Sequence, residues 1–224
     1  MKPKQLKAFL ATAFFAMLDI VLVITNNDEF RLFSKPFIIP SIIGIYVFSQ
    51  EENKINWKND MVLFGLTASW VGDILLQMDG LFIPGLLAFL LAHIFYIKFF
   101  ISTKSENTSF FKLRPVMLIA VLAYLIELMN LLWPHLASMK IPVLAYGITI
   151  SVMLSAALWQ YQKLDNKTAF LMIIGATFFV LSDSILAINK FKTQFEHARI
   201  MIMTTYIFAQ LFIVIGAIRY RITN

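Results

Sequence analysis

Residues 60–77 read DMVLFGLTASWVGDILLQ, and residues 169–188 read AFLMIIGATFFVLSDSILAI. Each stretch is an apolar segment that carries an aspartate within it, Asp73 in the first and Asp183 in the second. A carboxylate costs several kcal/mol in hydrocarbon unless it faces a polar cavity or a partner, so an intramembrane acid is a candidate for function. The two aspartates are 110 residues apart, about half of the 224-residue chain, and they are where chemistry is expected first.

Composition assigns the chain to the polytopic membrane proteins. Hydrophobic residues make up 59% of it and charged residues 14%, whereas soluble domains carry about 25% charged residues. Cysteine is absent, which excludes disulfides and thiolate catalysis. The net charge of +6 fits Lys and Arg in short loops beside lipid headgroups better than it fits nucleic-acid binding.

Eight apolar segments predict an all-α fold, a bundle of eight transmembrane helices in a single integral membrane domain over residues 1–224. About 20 apolar residues cross a bilayer, so the segment 36–49 is short, and its Pro40 would kink it. The segments span 8–25, 36–49, 60–77, 81–101, 115–132, 141–161, 169–188 and 199–218.

Lys and Arg are distributed unevenly between the two sides of this bundle. With eight spans, thirteen of them fall on the side of both termini and six on the other side. The positive-inside rule therefore predicts a multi-pass protein of the cell membrane with both termini in the cytoplasm. The two aspartates then lie in the outer half of the membrane.

The offset of 110 residues also relates other marked positions. It maps Gly65 to Gly175 and Tyr96 to Tyr206. Four helices per half would make the two halves parallel repeats about an axis along the membrane normal. Coincidence in a Leu-, Ile- and Phe-rich sequence is the open alternative.

Polar residues three, four or seven apart share a helix face, and lipid cannot solvate them. Such side chains are predicted to point inward and to line one polar cavity with the two aspartates. They include His93 and Tyr96, Tyr206 and Gln210, and Lys190. Structural alternatives stay open: an ion pair between Asp183 and Lys190, interhelical hydrogen bonding by Gln210, and paired structural roles for Asp19 and Glu127.

A metal site has weaker support. A catalytic zinc usually has three protein ligands, mostly histidine, and only His93 of the three histidines lies within a predicted helix. No cofactor and no metal are therefore predicted, although a site of His93 with two aspartates stays open.

An ordered set of short motifs extends over about residues 30 to 215. The motifs are Ser34-Lys35-Pro36-Phe37-Ile38-Ile39-Pro40, Gly72-Asp73-Ile74-Leu75-Leu76, Phe82-x-x-Gly85-x-x-x-Phe89-x-x-x-His93-x-x-Tyr96, Pro142-Val143-x-x-Tyr146, Gly175-Ala176-x-x-Phe179-x-x-Ser182-Asp183-x-x-Leu186-Ala187-x-x-Lys190-Phe191 and Tyr206-x-x-Ala209-Gln210. No single motif is specific, but the ordered set resembles the YhhN family of membrane proteins, which includes the eukaryotic lysoplasmalogenases.

The resemblance implies a membrane lipid hydrolase that cleaves the vinyl ether bond of lysoplasmalogens. The products are a fatty aldehyde and a glycerophospho-ethanolamine or -choline, and the partner is a lysophospholipid of the membrane. It further implies that Asp73 and Asp183 are the catalytic acids. The supporting residues that it places in the cavity are Lys35, His93, Tyr96, Tyr146, Lys190, Tyr206 and Gln210.

Two carboxyl groups suit this reaction. One delivers a proton to the β-carbon of the vinyl ether, which gives an oxocarbenium ion, and a carboxyl shielded from water can hold that proton near neutral pH. The other stabilises the cation and deprotonates the attacking water, as in glycosidases. The sequence does not assign the two roles. Lys35, Lys190 and Arg199 would hold the substrate phosphate by charge.

A small proton-coupled transporter or permease is the alternative, because repeats and midplane acids are also features of carriers. A purely structural membrane protein leaves two acids at one depth unexplained. Purified protein in detergent separates the hydrolase from the transporter, because only the hydrolase releases aldehyde from a vinyl ether lipid without a sealed membrane.

Overall fold

The computed structural model describes residues 3–49, 60–103, 115–162 and 164–223, and every regular element within these ranges is helical. The predicted all-α fold is confirmed. Part of the Lys and Arg set behind the predicted orientation lies outside the described residues, namely Lys2, Lys54, Lys58, Lys104, Lys112, Arg114 and Lys163.

Helices occupy all eight predicted segments, and most ends agree within a few residues. The α-helices are α1 (Pro3–Ile24), α2 (Asp28–Ser34), α3 (Ile38–Ser49), α4 (Met61–Leu75), α5 (Phe82–Ser102), α6 (Pro115–Leu132), α7 (Lys140–Leu158), α8 (Asn166–Ala187) and α9 (Ala198–Thr223). Within the described residues, seven helical spans are long and apolar enough to cross a membrane. The chain is therefore a multi-pass membrane protein.

The short span is α4 rather than the segment 36–49. Helix α2, a 3-10 turn at Lys35–Phe37 and α3 form one apolar span of 22 residues, Asp28–Ser49. Pro40 is the third residue of α3, where its missing N–H is not needed by the helix, so it does not end the span. Helix α4, with 15 residues, is about 22 Å long, which is less than the roughly 30 Å hydrocarbon core.

The chain folds into two compact units. The first unit comprises Met1–Tyr96 and Ala217–Asn224, and the second unit comprises Ile97–Gly216. Helices α5 and α9 contribute residues to both. The single membrane domain and the two parallel repeats stay predictions.

In the first unit, glycines let α4 lie close against α5. A Cβ atom on Gly65 would lie 2.5 Å from Cε1 of Tyr96. One on Gly72 would lie 2.6 Å from Cδ2 of Phe89. Both the glycines and the rings are seven residues apart, so each pair shares one helix face. The missing side chains of α4 thus make room for two aromatic rings of α5.

In the second unit, Gly175 has the same effect between α8 and α9. A Cβ atom there would lie 2.7 Å from Cγ1 of Ile213 and 3.0 Å from the carbonyl oxygen of Ala209. The α6–α7 region contributes a separate buried apolar cluster of Leu128, Met129, Leu132, Leu136 and Val143. Each predicted site aspartate therefore lies eight residues after a glycine that is packed against the following helix.

Candidate active site

The first unit holds a buried ion pair. Asp73 lies two residues before the end of α4, and its side chain is 3% exposed. Nζ of Lys35 lies 3.1 Å from its Oδ1 atom, and the lysine side chain is 11% exposed. A charge buried this far is tolerated when an opposite charge compensates it. We call these two residues the Asp73 pair.

Helix α4 also fixes the turn from which the lysine extends. Lys35 begins the 3-10 turn Lys35–Phe37, and the indole Nε1 of Trp70 donates a hydrogen bond of 2.8 Å to the carbonyl oxygen of Pro36. Trp70 precedes Asp73 by three residues and lies on the same side of α4. The helix that carries the carboxylate therefore also positions its cation.

Two more predicted residues of the first unit lie on α5. His93 and Tyr96 are fully buried and three residues apart, so they share a face of the helix. The ring of Tyr96 is the one that lies against Gly65 of α4. Both side chains are therefore inside the helix packing, and their place in a polar cavity stays a prediction.

The second unit holds the other aspartate with a different partner. Asp183 lies four residues before the end of α8 and is 9% exposed. The hydroxyl of Tyr146, on α7, donates a hydrogen bond of 2.9 Å to its Oδ2 atom. We call these two residues the Asp183 pair. The neighbouring Ser184 shares a hydrogen bond with the hydroxyl of Tyr124.

The remaining predicted residues of the second unit lie on α9 and at the end of α8. Gln210 is fully buried, and the ring of Tyr206 packs edge-on against Phe179 with centroids 5.6 Å apart. Lys190 is exposed and lies in a π-helical turn, Ile188–Lys192. The α-helical spacing of the sequence assigns Asp183 and Lys190 to one face. The π turn begins directly after α8 and contains this lysine, and the shared face stays a prediction.

Sequence reasoning missed one buried acid, Asp60. Its side chain caps α4 by accepting hydrogen bonds from the backbone N–H groups of Val62 and Leu63. It also accepts bonds from the hydroxyl of Tyr46 at 2.9 Å and from Nη2 of Arg221 at 2.8 Å. An aspartate directly before an apolar helix is a cap signal that the sequence did offer.

Among the described residues, no three His, Asp or Glu side chains are grouped as a metal site requires.

The chemistry that these sites could perform depends on two buried carboxyl groups in different surroundings. One faces an ammonium group and the other a phenol hydroxyl.

Residues 30–217 of the chain match the YhhN family. The chain belongs to that family. The resemblance drawn from the ordered motifs is thereby confirmed.

Curated relatives of this YhhN-family chain are named lysoplasmalogenases. The human lysoplasmalogenase TMEM86B is 35% identical over 155 residues, which cover 69% of this chain and 62% of the human protein. Human TMEM86A is 30% identical over 172 residues, 71% of this chain and 66% of that protein. The lysoplasmalogenase of Mycobacterium tuberculosis is 30% identical over 162 residues, 71% and 59% of the two chains. The chain thus spans about three fifths to two thirds of the length of these relatives. No solved structure matches it.

Proposed function

We propose that this protein is a lysoplasmalogenase, a membrane hydrolase that cleaves the vinyl ether bond of a lysophospholipid. The observation that carries the proposal is the similarity to human and mycobacterial lysoplasmalogenases over 69–71% of the chain. The two buried carboxyl groups lie within the matched residues and supply the acid–base chemistry that the reaction needs. The names of the relatives do not favour a proton-coupled transporter.

The first step is proton transfer to carbon. Asp183 carries the proton on Oδ1, since Tyr146 donates to Oδ2, and delivers it to the β-carbon of the vinyl ether. The electron pair of the double bond forms the new C–H bond, and the ether oxygen shares the positive charge that remains on the α-carbon. The cation is an oxocarbenium ion, of the kind that carboxylates stabilise in glycosidases.

The second step is addition of water. Asp73, held ionised by the ammonium group of Lys35 at 3.1 Å, accepts a proton from a water whose oxygen bonds to the α-carbon. The hemiacetal then loses the glycerol oxygen as an alcohol, which takes the hydroxyl proton and leaves a fatty aldehyde. This division of labour requires that both carboxyl groups reach one bound lipid.

The ion pair suggests a different role for Lys35 from the phosphate contact expected by charge alone. The ammonium group of Lys35 already compensates a buried carboxylate, so we assign it the role of keeping Asp73 ionised. Lys190 is exposed and Arg199 is half-buried, so these two cations are better candidates than Lys35 for binding the substrate phosphate. The side chains of His93, Tyr96, Tyr206 and Gln210 are buried, and their part in binding the substrate stays a prediction.

The orientation belongs to the same proposal. Both termini lie in the cytoplasm, and both catalytic carboxyls lie toward the outer leaflet of the cell membrane. Reporter fusions at the C-terminus and in the loop at Lys192 test this. A C-terminus that reports outside would overturn it.

The deciding experiment uses purified protein in detergent and a 1-alkenyl lysophospholipid. We expect release of a fatty aldehyde in amounts equal to the glycerophospho product. The matched control is the 1-alkyl analogue, which lacks the double bond and therefore has no β-carbon to protonate. Absence of aldehyde from the alkenyl lipid, in folded protein, would overturn the hydrolase and leave the transporter to be tested in sealed vesicles.

Solvent isotope labelling tests the chemical route. In D2O, delivery of the proton to the β-carbon places one deuterium on the carbon next to the aldehyde group. Unlabelled aldehyde incubated with the protein in D2O controls for exchange after the reaction. Product without deuterium at that carbon would exclude β-carbon protonation.

A further inference from the structure

A fourth buried aspartate, Asp19, like Asp60, plays no part in the reaction described above. Asp19 lies on α1, five residues before the end of the helix, and is fully buried. Its two carboxylate oxygens face Arg31, with Nε 3.3 Å from Oδ1 and Nη2 3.4 Å from Oδ2. A two-point contact of this kind fixes the direction of a guanidinium as well as its distance.

The same carboxylate reaches the residue before the lysine of the Asp73 pair. The hydroxyl of Ser34 donates a hydrogen bond of 3.1 Å to Oδ1 of Asp19, and Ser34 is 2% exposed. Arg31 and Ser34 are three residues apart and share one face of α2. Asp19 therefore holds α2 at two points, and the second is directly adjacent to Lys35.

The chain on the other side of Lys35 is held as well. The carbonyl oxygen of Pro36 accepts the hydrogen bond from Trp70. Lysine has a flexible four-carbon stem, so its ammonium reaches one defined place only if the backbone beneath it is fixed. Asp19 through Ser34, and α4 through Trp70, provide that fixation.

We propose that Asp19 is a positioning residue that acts through Arg31 and Ser34 to place Lys35 beside Asp73. Its effect on turnover rests on the proposed function, whereas its effect on the position of Lys35 does not. Asp19 precedes residues 30–217, so it lies outside the part of the chain that matches the family.

The chain offers a matched control for a purely structural role. Asp60 is also a buried aspartate of the first unit, 2% exposed, with an arginine and a hydroxyl as partners. Those partners, Tyr46 and Arg221, lie outside the turn at Lys35–Phe37. Loss of either carboxylate removes a buried arginine pair, but only loss of Asp19 removes a contact next to Lys35.

The first measurement is independent of activity. An amine-reactive reagent is applied to purified protein in detergent, and the labelling rate of Lys35 is followed by peptide mass spectrometry. We expect the rate to rise about fivefold in Asp19→Asn, as for coupled neighbours, and to stay at the wild-type value in Asp60→Asn. An unchanged rate in Asp19→Asn, or an equal rise in both variants, would overturn the proposal.

A milder variant serves if Asp19→Asn does not fold. Ser34→Ala keeps the pair between Asp19 and Arg31 and removes only the link next to Lys35. We expect the labelling rate of Lys35 to rise about twofold, because one hydrogen bond from a hydroxyl is lost while the pair between Asp19 and Arg31 stays. No rise in Ser34→Ala would then overturn the proposal.

The second measurement is a kinetic cycle on the vinyl ether substrate. Asp19→Asn should lower kcat about tenfold with KM nearly unchanged, and should have no further effect in a Lys35→Met background. Equal losses in both backgrounds would show that Asp19 acts by another route and would overturn the positioning role in turnover. If wild-type protein releases no aldehyde, the proposed function fails, and the labelling rates still decide whether Asp19 positions Lys35.

Discussion

The two buried aspartates occupy matching places in the sequence and unlike places in the structure. Both lie near the ends of their helices, eight residues after a closely packed glycine. Asp73 is paired with an ammonium group at 3.1 Å, whereas Asp183 accepts a hydrogen bond from a phenol at 2.9 Å. Both partners come from earlier elements of the chain, a 3-10 turn and α7. In the proposed reaction the aspartates supply the reactive groups, and their partners determine which one acts as the acid and which as the base.

The largest expected effect comes from removing either carboxyl group. Asp73→Asn and Asp183→Asn should each lower kcat for aldehyde release about a thousandfold, which is within the range for general acid–base groups. Asparagine keeps the shape and polarity of the side chain, but Asp73→Asn also breaks the buried pair with Lys35, so unfolding in detergent is measured beside the kinetics. Asp60 is a buried acid with no role in the proposed reaction, so the Asp60→Asn variant should keep its activity. Near-full activity in Asp73→Asn or Asp183→Asn would make that residue structural.

Replacing Lys35 tests whether its ammonium group keeps Asp73 ionised. Lys35→Met should lower kcat about a hundredfold with a small change in KM, because Asp73 loses the ammonium partner that keeps it ionised for the chemical step, while binding of the substrate in the ground state is not affected. Breaking a buried pair in this way also costs about 3–5 kcal/mol of stability, so unfolding in detergent should be measured beside the kinetics.

The same variant distinguishes the two roles for this lysine. If Lys35 held the substrate phosphate, KM would rise more than kcat falls, since that contact is equal in both states. Lys190→Met is the matched control, because this exposed lysine should show that KM effect and leave kcat unchanged.

Removing the hydroxyl of Tyr146 tests the role of its hydrogen bond to Asp183. Tyr146→Phe should lower kcat about tenfold, which corresponds to the loss of one hydrogen bond to a carboxyl group. Tyr124→Phe is the control, because it removes a hydroxyl bonded to Ser184 rather than to the carboxyl. Equal losses in the two variants would point to packing and not to the bond with Asp183.

The smallest effect concerns the glycines that precede the aspartates. Gly175→Ala should lower the free energy of unfolding by about 1–3 kcal/mol, because the added Cβ would meet the backbone of α9. Gly65→Ala would meet a buried ring and should behave similarly. Gly44→Ala, whose Cβ would lie 3.2 Å from Cβ of Ala8, should change stability by less than about 1 kcal/mol. Thermal unfolding in detergent ranks the three.

The helices could be predicted from the sequence because each is a long apolar run. The lengths of two spans could not. Residues 28–35 carry charges, so the predicted second span begins after them, at residue 36. In the structure Arg31 is paired with Asp19, and the helical span begins at Asp28. Helix α4 ends at Leu75, before a turn at Met78–Gly80 in which Gly80 has a φ of +78°. Local sequence shows the turn but not where the last helical bond lies.

The aspartates could also be predicted, but their partners were beyond helix-face reasoning. Lys35 and Tyr146 lie 38 and 37 residues from the acids that they contact, so no i, i+4 pattern connects them. The π turn at Ile188–Lys192 carries no breaker residue that would reveal it. Long-range pairing depends on packing of whole helices, which a single sequence does not encode in its periodicity.

The most direct test of the difference between the two aspartates is infrared difference spectroscopy on protein in detergent. A protonated carboxyl has a C=O stretching band that an ionised one lacks. The account predicts that one such band is missing from Asp183→Asn and present in Asp73→Asn, since the first residue carries the proton and the second is ionised beside Lys35. A band missing from Asp73→Asn, or unchanged in both variants, would contradict it.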